Sequence, residues 1–297
     1  MQLREALRAG IATLLAQQIP SASLAAELLL MHALGCDRGD LHSYPELDLP
    51  AETVERYFRL VAERATGKPT QYITGHQEFW GLDFEVTPAV LIPRPETELL
   101  VETVVELVKG SGARWEVGGG EPPRIVDVGT GSGCIALALA SNLPAAVIYA
   151  TDLSRPALEV ARRNARRLGL TGRVYFVEMD LLSAFSEGGG GRFDFVVSNP
   201  PYVGCNETGL VQREVREFEP RIAWGGSGRG DDVYRRLFPQ ALSLLRPGGY
   251  VLVEVGYNQA DAVAGLLREG WMSPEIRPDL AGIPRVVKAR KGYNASL

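Results

Sequence analysis

Cysteine and histidine are scarce in this chain of 297 residues, with three of each. Cys36, Cys134 and Cys205 are far apart, odd in number, and match no zinc or disulfide spacing. With only His32, His42 and His76 available, no multi-histidine metal site is expected. Long apolar runs are missing too: none approaches the roughly 18–20 residues of a membrane span, so no membrane partner is expected. The opening stretch MQLREALRAG places Arg4, Glu5 and Arg8 where a secretory signal needs an apolar core, and the expected location is the cytoplasm. Nor is there an excess of positive charge. Lys and Arg number 31 against 36 Asp and Glu, a net charge of −5, which argues against a surface built to grip nucleic acid. What remains is a globular composition, 45% hydrophobic and 23% charged, which excludes disorder and collagen-like repeats. The length suits one large or two ordinary domains of roughly 100–200 residues each.

The first 75 residues read as a small helical bundle. Leu3, Leu7, Ile11, Leu14 and Leu15 recur at spacings of three and four, which predicts one apolar helix face until Pro20 breaks it. Ser21 or Ser23 can cap a second helix, SLAAELLLMHAL, ended by Gly35. A third runs from about Ala51 to Gly67, and DLHSY between them adds one more turn. Seven Lys/Arg against nine Asp/Glu give this region a charge of −2, so it carries no basic stripe. HQEFWGLDFEV reads as a hairpin turning at Gly81, within a linker over 76–95. From 96 to 297 a second domain is expected. It starts with a helix from about Pro95 to Gly110, and strands then alternate with helices: RIVDV, VIYATD, RVYFVEMD, FDFVVS, YVLVEV and RVVKAR. Continuous apolar strands separated by amphipathic helices imply a doubly wound, mostly parallel sheet covered on both faces. The last strand lacks a helical crossover and is expected to run antiparallel. A glycine run at 188–191 reads as a loop.

Asp127-Val128-Gly129-Thr130-Gly131-Ser132-Gly133 lies where the first of these strands turns into a helix. Glycines at alternate positions let the backbone pass close to a bound group. The dinucleotide fingerprint fails because Cys134 stands where its third glycine belongs, and no Lys-Ser/Thr pair follows to make a nucleoside-triphosphate loop. Asp152 ends the next strand and can accept both ribose hydroxyls of a nucleoside cofactor. Asp180 ends the third strand and can accept from an adenine amine. Either acid alone could equally cap the helix after it. Three acids ending three successive strands suit a cofactor with adenine, ribose and a cationic or amino-acid tail. S-adenosylmethionine fits better than NAD, whose pyrophosphate Asp127 would repel.

Ser198-Asn199-Pro200-Pro201-Tyr202 ends the fourth strand, at the carboxyl edge where open α/β sheets bind ligands. Proline removes a backbone donor and holds the preceding residue extended, so two in succession present bare carbonyls at a rigid corner. The Asn199 side-chain oxygen and the Pro200 carbonyl can accept the two N–H groups of one planar amine. Tyr202 can cover its flat face. Such a corner suits a nitrogen on an sp² carbon, either an amide or the exocyclic amine of a base.

DVGTGSG, ATD, MD and SNPPY, in this order, resemble the class I S-adenosylmethionine-dependent methyltransferases that act on planar nitrogens. Closer still, the chain resembles the HemK/PrmC family, the peptide chain release factor glutamine-N5 methyltransferases. The resemblance spans nearly the whole length and includes QYITG (71–75), FWGLDFEV, LIPRPETE (91–98) and FEPRIA (218–223). LIPRPETE discriminates most, because the sister enzymes that modify a ribosomal protein carry something else there. The resemblance implies a Rossmann-like fold and an S-adenosylmethionine site at Gly129, Thr130, Gly131, Ser132, Gly133, Asp152, Asp180, Leu181 and Asn199. Leu181 departs from a position that is often aromatic in the family. It also implies that Asn199, Pro200, Pro201 and Tyr202 hold the substrate glutamine, with Asn199, Pro200 and Tyr202 as catalytic residues. The partner would be a release factor bound through the helical domain by a monomeric enzyme. An adenine-N6 nucleic-acid methyltransferase, or a catalytically silent partner-binding module, are the alternatives. The net charge disfavours the first, and intact glycine and Asn-Pro-Pro motifs disfavour the second.

Overall fold

The computed structural model describes residues 1–110, 121–188, 192–226, 228 and 230–293. They form two compact units: Met1–His76 with Gln212–Phe218, and Gln77–Val211 with the chain from Glu219 onward. Most of the glycine run expected to be a loop at 188–191, and most of the stretch 111–123, lie outside the described residues.

The first unit is helical: α1 (Leu3–Ala16), α2 (Ala22–Leu34), α3 (Arg38–Ser43), α4 (Ala51–Ala65) and α5 (Thr70–Thr74). In α1 the buried face is Leu3, Ala6, Gly10 and Leu14, and Leu15 is exposed. The apolar stripe read from sequence is therefore rotated. Gly10 explains this, because the Tyr57 hydroxyl of α4 packs against it and a Cβ there would lie 1.9 Å from that oxygen. Helix α2 follows Ser21, whose backbone is left-handed (φ 51°) and whose side chain makes no cap hydrogen bond, so neither expected serine caps it. The later segment Gln212–Phe218 joins this unit through a buried guanidinium. Arg64 donates to Glu214 Oε1 at 2.5 Å and to the Lys68 carbonyl at 3.0 Å.

From Gln77 the second unit opens with the hairpin of β1 (His76–Phe79) and β2 (Leu82–Glu85). Trp80 and Gly81 both have positive φ, at 56° and 70°, as a two-residue type I′ turn requires. A 3₁₀ turn at Pro95–Thr97 leads into α6 (Glu98–Gly110). Alternation follows: β3 (Arg124–Val128), α7 (Cys134–Asn142), β4 (Val147–Asp152), α8 (Arg155–Arg167), β5 (Val174–Glu178) and β6 (Phe193–Ser198). After α9 (Arg213–Phe218), which lies in the first unit, come α10 (Arg221–Trp224), α11 (Asp232–Leu244), β7 (Leu245–Glu254), α12 (Ala260–Ala264), β8 (Glu275–Pro278) and β9 (Pro284–Arg290).

The sheet order is β5-β4-β3-β6-β7-β9-β8. The first five strands are parallel, and β9 runs antiparallel to β7 as expected. The connection without a helix is the one from β8 to β9, which also pair antiparallel, whereas α12 lies between β7 and β8. PEIRP, read from sequence only as a connection, is itself the edge strand β8. Strand residues alternate between two cores. Ile125, Phe195, Val197 and Leu252 face α6 and α7, whereas Val126, Val196, Val251 and Val253 face α11 and α12. Burial on both faces is why these strands read as continuous apolar runs. No helix among the described residues is long and apolar enough to cross a membrane.

Candidate active site

Strand order reverses at β3, which sends β4 and β5 to one side and β6 and β7 to the other. Ligands of open α/β sheets bind at such a switch point, beyond the carboxyl ends of the strands. Here Val128 lies opposite Ser198, and Ser198 Oγ donates to the Val128 carbonyl at 2.7 Å. The glycine loop and the Asn-Pro-Pro-Tyr corner therefore emerge side by side.

Gly129, Gly131 and Gly133 all have positive φ (74°, 55° and 84°). The Gly129 and Thr130 N–H groups both donate to the Thr151 carbonyl, which folds the loop back over β4. A Cβ at Gly129 or Gly131 would meet nothing within 4 Å, whereas one at Gly133 would sit 3.1 Å from Leu137 and Ala161. The first two glycines thus leave room beside the loop, and Gly133 serves the packing of α7 against α8. Asn164 of α8, fully buried, donates to the Ser132 and Glu85 carbonyls and accepts from the Glu85 N–H, tying the loop to β2.

The three strand-end acids do three different things. Asp127 lies beneath the loop instead of facing a ligand: its Oδ2 accepts from Thr130 Oγ1 at 2.6 Å and from the Ala136 N–H at 3.2 Å. Burial pushes this carboxyl up to about 7, and its Oδ1 has no hydrogen-bond partner among the described residues. Asp152 does not cap α8; Ser154 does, through its Oγ. The Asp152 oxygens accept one N–H each, from Gly131 at 2.9 Å and Ser154 at 2.8 Å. Burial raises its pKa while those bonds oppose the rise. Asp180 is half-exposed, and one of its oxygens is taken by Arg236 of α11.

At the corner, Asn199 Nδ2 donates to Thr97 Oγ1 at 3.0 Å, and Thr97 Oγ1 donates to Glu254 Oε2 at 2.6 Å. Among the described residues no donor reaches Asn199 Oδ1, and no backbone N–H reaches the Pro200 carbonyl. Tyr202 has its carbonyl held by Gln259 at 2.9 Å and its ring against Gly256. Burial, with the nearby Glu254 carboxyl, holds its phenol well above the usual range.

One cavity of about 370 Å³ joins these parts. Its wall includes Gly129, Thr130, Gly131, Ser132, Asp152, Asp180, Leu181, Asn199 and Pro201 from the residues singled out in the sequence; Gly133, Pro200 and Tyr202 are not part of that wall. Leu181 has a left-handed backbone (φ 52°) there. Residue-by-residue reading missed Arg94, Thr97, Ile222, Ala223 and Arg236, which also line it. Four of them belong to LIPRPETE and FEPRIA, so the signal was present as unexplained motif. These two motifs meet where Glu219 accepts from Arg94 at 2.5 Å and from the Ile92 N–H at 3.1 Å.

The family described as the PrmC N-terminal domain matches residues 5–75, and the methyltransferase small domain matches residues 119–229. A release factor glutamine methyltransferase of Koribacter versatilis is 50% identical over 98% of this chain and 99% of its own. One of Moorella thermoacetica is 42% identical over 96% of this chain and 97% of its own. In fold alone, the hMettl16 catalytic domain superimposes with a TM-score of 0.55 at 19% identity, covering 80% of this chain and 83% of that one. Half the residues shared along almost the entire length, with the Gly loop and the Asn-Pro-Pro-Tyr corner placed at one switch point, define the kinship: the chain belongs to the release factor glutamine methyltransferase family.

Proposed function

We propose that this chain transfers a methyl group from S-adenosylmethionine to the side-chain amide nitrogen (N5) of the glutamine in the GGQ motif of peptide chain release factors, supporting translation termination. The observation that carries this reading is the Asn199 corner. Its amide NH₂ end faces Thr97, so its oxygen is left to accept beside the Pro200 carbonyl, which no backbone N–H among the described residues reaches. Two fixed acceptors suit a group with two N–H donors on one planar nitrogen. The relatives' name selects the glutamine amide over a base amine.

The cavity fits the cofactor. Asp152 uses one acceptor site on each oxygen for the N–H groups of Gly131 and Ser154, which leaves one on each for a pair of ribose hydroxyls. Leu181 offers an apolar wall to adenine, and Gly129 and Gly131 leave open space for the amino-acid tail. When bound, S-adenosylmethionine supplies an electrophilic methyl on a sulfonium. An amide nitrogen is a poor nucleophile because its lone pair is delocalised, so the work of the protein is alignment. Asn199 Oδ1 and the Pro200 carbonyl hold both N–H groups and fix the nitrogen in one orientation. The same acceptors stabilise the positive charge that develops on nitrogen. One of the two N–H protons then leaves to water, and no strong base is required.

The helical unit serves as the recognition domain for the release factor, and its acidic balance suits a protein partner. On this reading residues 1–75 recognise, 76–95 link and 96–297 catalyse, in a cytoplasmic monomer. Mass spectrometry of a purified release factor incubated with the enzyme and labelled cofactor tests the function. One added methyl on the GGQ glutamine is expected, and an unmodified glutamine beside an active, cofactor-binding enzyme would refute it.

A further inference from the structure

Asn199 is the visible end of a chain of hydrogen bonds that runs into the sheet. Thr97 is 2% exposed and Glu254 3% exposed, so an acidic side chain lies buried directly behind the corner. Burying a carboxylate is costly unless it is paired or hydrogen-bonded, and here Thr97 supplies the hydrogen bond. The hydroxyl between them has one proton to donate. With that proton given to Glu254 Oε2, Thr97 Oγ1 can only accept from Asn199, and only the NH₂ end of the amide can donate. Asn199 Oδ1 is then turned away from Thr97.

We propose that Glu254 and Thr97 are positioning residues for methyl transfer: the ionised carboxylate at the end of β7 sets, through the single proton of Thr97, which end of the Asn199 amide meets the substrate nitrogen. This rests on the reading that Asn199 Oδ1 accepts a substrate N–H. A protonated Glu254 reverses the chain. It donates to Thr97, whose own proton goes to Asn199 Oδ1, and the overturned amide presents N–H groups to the N–H groups of the substrate. The hydroxyl donates once and accepts once in either state.

The surroundings of Glu254 place this switch in an accessible range. Burial pushes its carboxyl up to about 7; Glu96 adds to the rise, while the Thr97 hydrogen bond, Arg285 and Arg94 oppose it. The phenols of Tyr202 and Tyr234 and the Cys134 thiol also face it, all held above their ordinary ranges and hence neutral. Tyr234 additionally donates to the Glu254 backbone carbonyl at 2.8 Å, fixing the strand end.

The test measures single-turnover methyl transfer to full-length release factor, across about pH 6 to 9, for Thr97→Val, Thr97→Ser, Glu254→Gln and Asn199→Ala. Each variant is first shown to bind S-adenosylhomocysteine by calorimetry. Thr97→Val is expected to lose about tenfold in rate, the worth of one hydrogen bond, with KM unchanged, and Thr97→Ser is expected to restore it. The wild-type rate should rise with pH through a limb near 7 as Glu254 ionises. That limb should be absent in Thr97→Val and in Glu254→Gln, whose amide can either accept from Thr97 or donate to it. A wild-type rate in Thr97→Val beside an inactive Asn199→Ala would overturn the proposal alone. An active Asn199→Ala would instead overturn the reading beneath it. Should Thr97→Val fail to bind S-adenosylhomocysteine, Glu254→Gln decides: a surviving limb overturns the proposal, and a flat profile supports it.

Discussion

Replacing Asp152 by alanine separates two tasks that one carboxylate performs. Its oxygens accept from Gly131 N–H at 2.9 Å and Ser154 N–H at 2.8 Å, using two of about four acceptor sites. The remaining two are those assigned to the ribose hydroxyls. Losing charged hydrogen bonds worth about 1.5–3 kcal/mol in total weakens S-adenosylhomocysteine binding by roughly ten- to hundredfold. The loop contacts add to this. An unsatisfied Gly131 N–H costs about 1–3 kcal/mol, which appears as a lowered Tm and a less ordered loop. Calorimetric titration of wild type and Asp152→Ala, each with S-adenosylhomocysteine and with an analogue lacking the ribose hydroxyls, distinguishes the tasks. Wild type should prefer the parent ligand, and the variant should hold both equally weakly. Protonation removes acceptor sites as alanine does. Because burial raises the Asp152 pKa, wild-type affinity should start to fall, as pH is lowered, earlier than for an ordinary carboxylate. Unchanged affinity in a folded Asp152→Ala, or an undiminished preference for the parent ligand, would refute the assignment.

Asn199→Ala should lose about 10²–10³ in kcat, by analogy with deleted oxyanion-hole donors, while S-adenosylhomocysteine affinity falls less; Asn199→Asp, which keeps an acceptor, should retain part of the rate, and near-wild-type turnover from both would make Asn199 a turn residue. Asp127 is raised to about 7 in the fold, so its contribution to stability is fully present below the unfolded value near 4 and is lost as pH rises towards 7. Asp127→Asn should flatten that part of a urea-denaturation profile. Gly133→Ala forces a side chain into φ 84° with its Cβ 3.1 Å from Leu137 and Ala161, and should cost about 1–3 kcal/mol of stability in the same assay. Reversing the exposed acids Glu52 and Glu55 to lysine should raise KM for the release factor, measured by methyl incorporation, without changing S-adenosylhomocysteine affinity if the helical unit recognises its partner through charge.

Local pattern was enough for much of this molecule. The helices of the first unit, the hairpin turn at Trp80–Gly81 and the parallel strands are written in short-range periodicity, because burial of one face or both leaves a period of 3.6, a period of 2 or an unbroken apolar run. The glycine loop and the Asn-Pro-Pro-Tyr corner were legible for a related reason: positive φ and missing backbone donors restrict which residues can stand there. β8 was missed because its residues are mostly exposed and prolines flank the pattern, so no burial period marks it. The rotated face of α1 depended on Tyr57 finding Gly10, a contact between helices that neither helix announces alone. Above all, polar partnerships across the fold carry no period. Asn199 meets Thr97 from 102 residues away, and Thr97 meets Glu254 from 157. Strand order brought those side chains together, and only then did a threonine in one motif and a glutamate in an apolar strand become part of the same site. Short-range pattern sets which elements form and which motifs end them; the way the amide of Asn199 faces comes from long-range packing, because that orientation depends on where one hydroxyl proton goes.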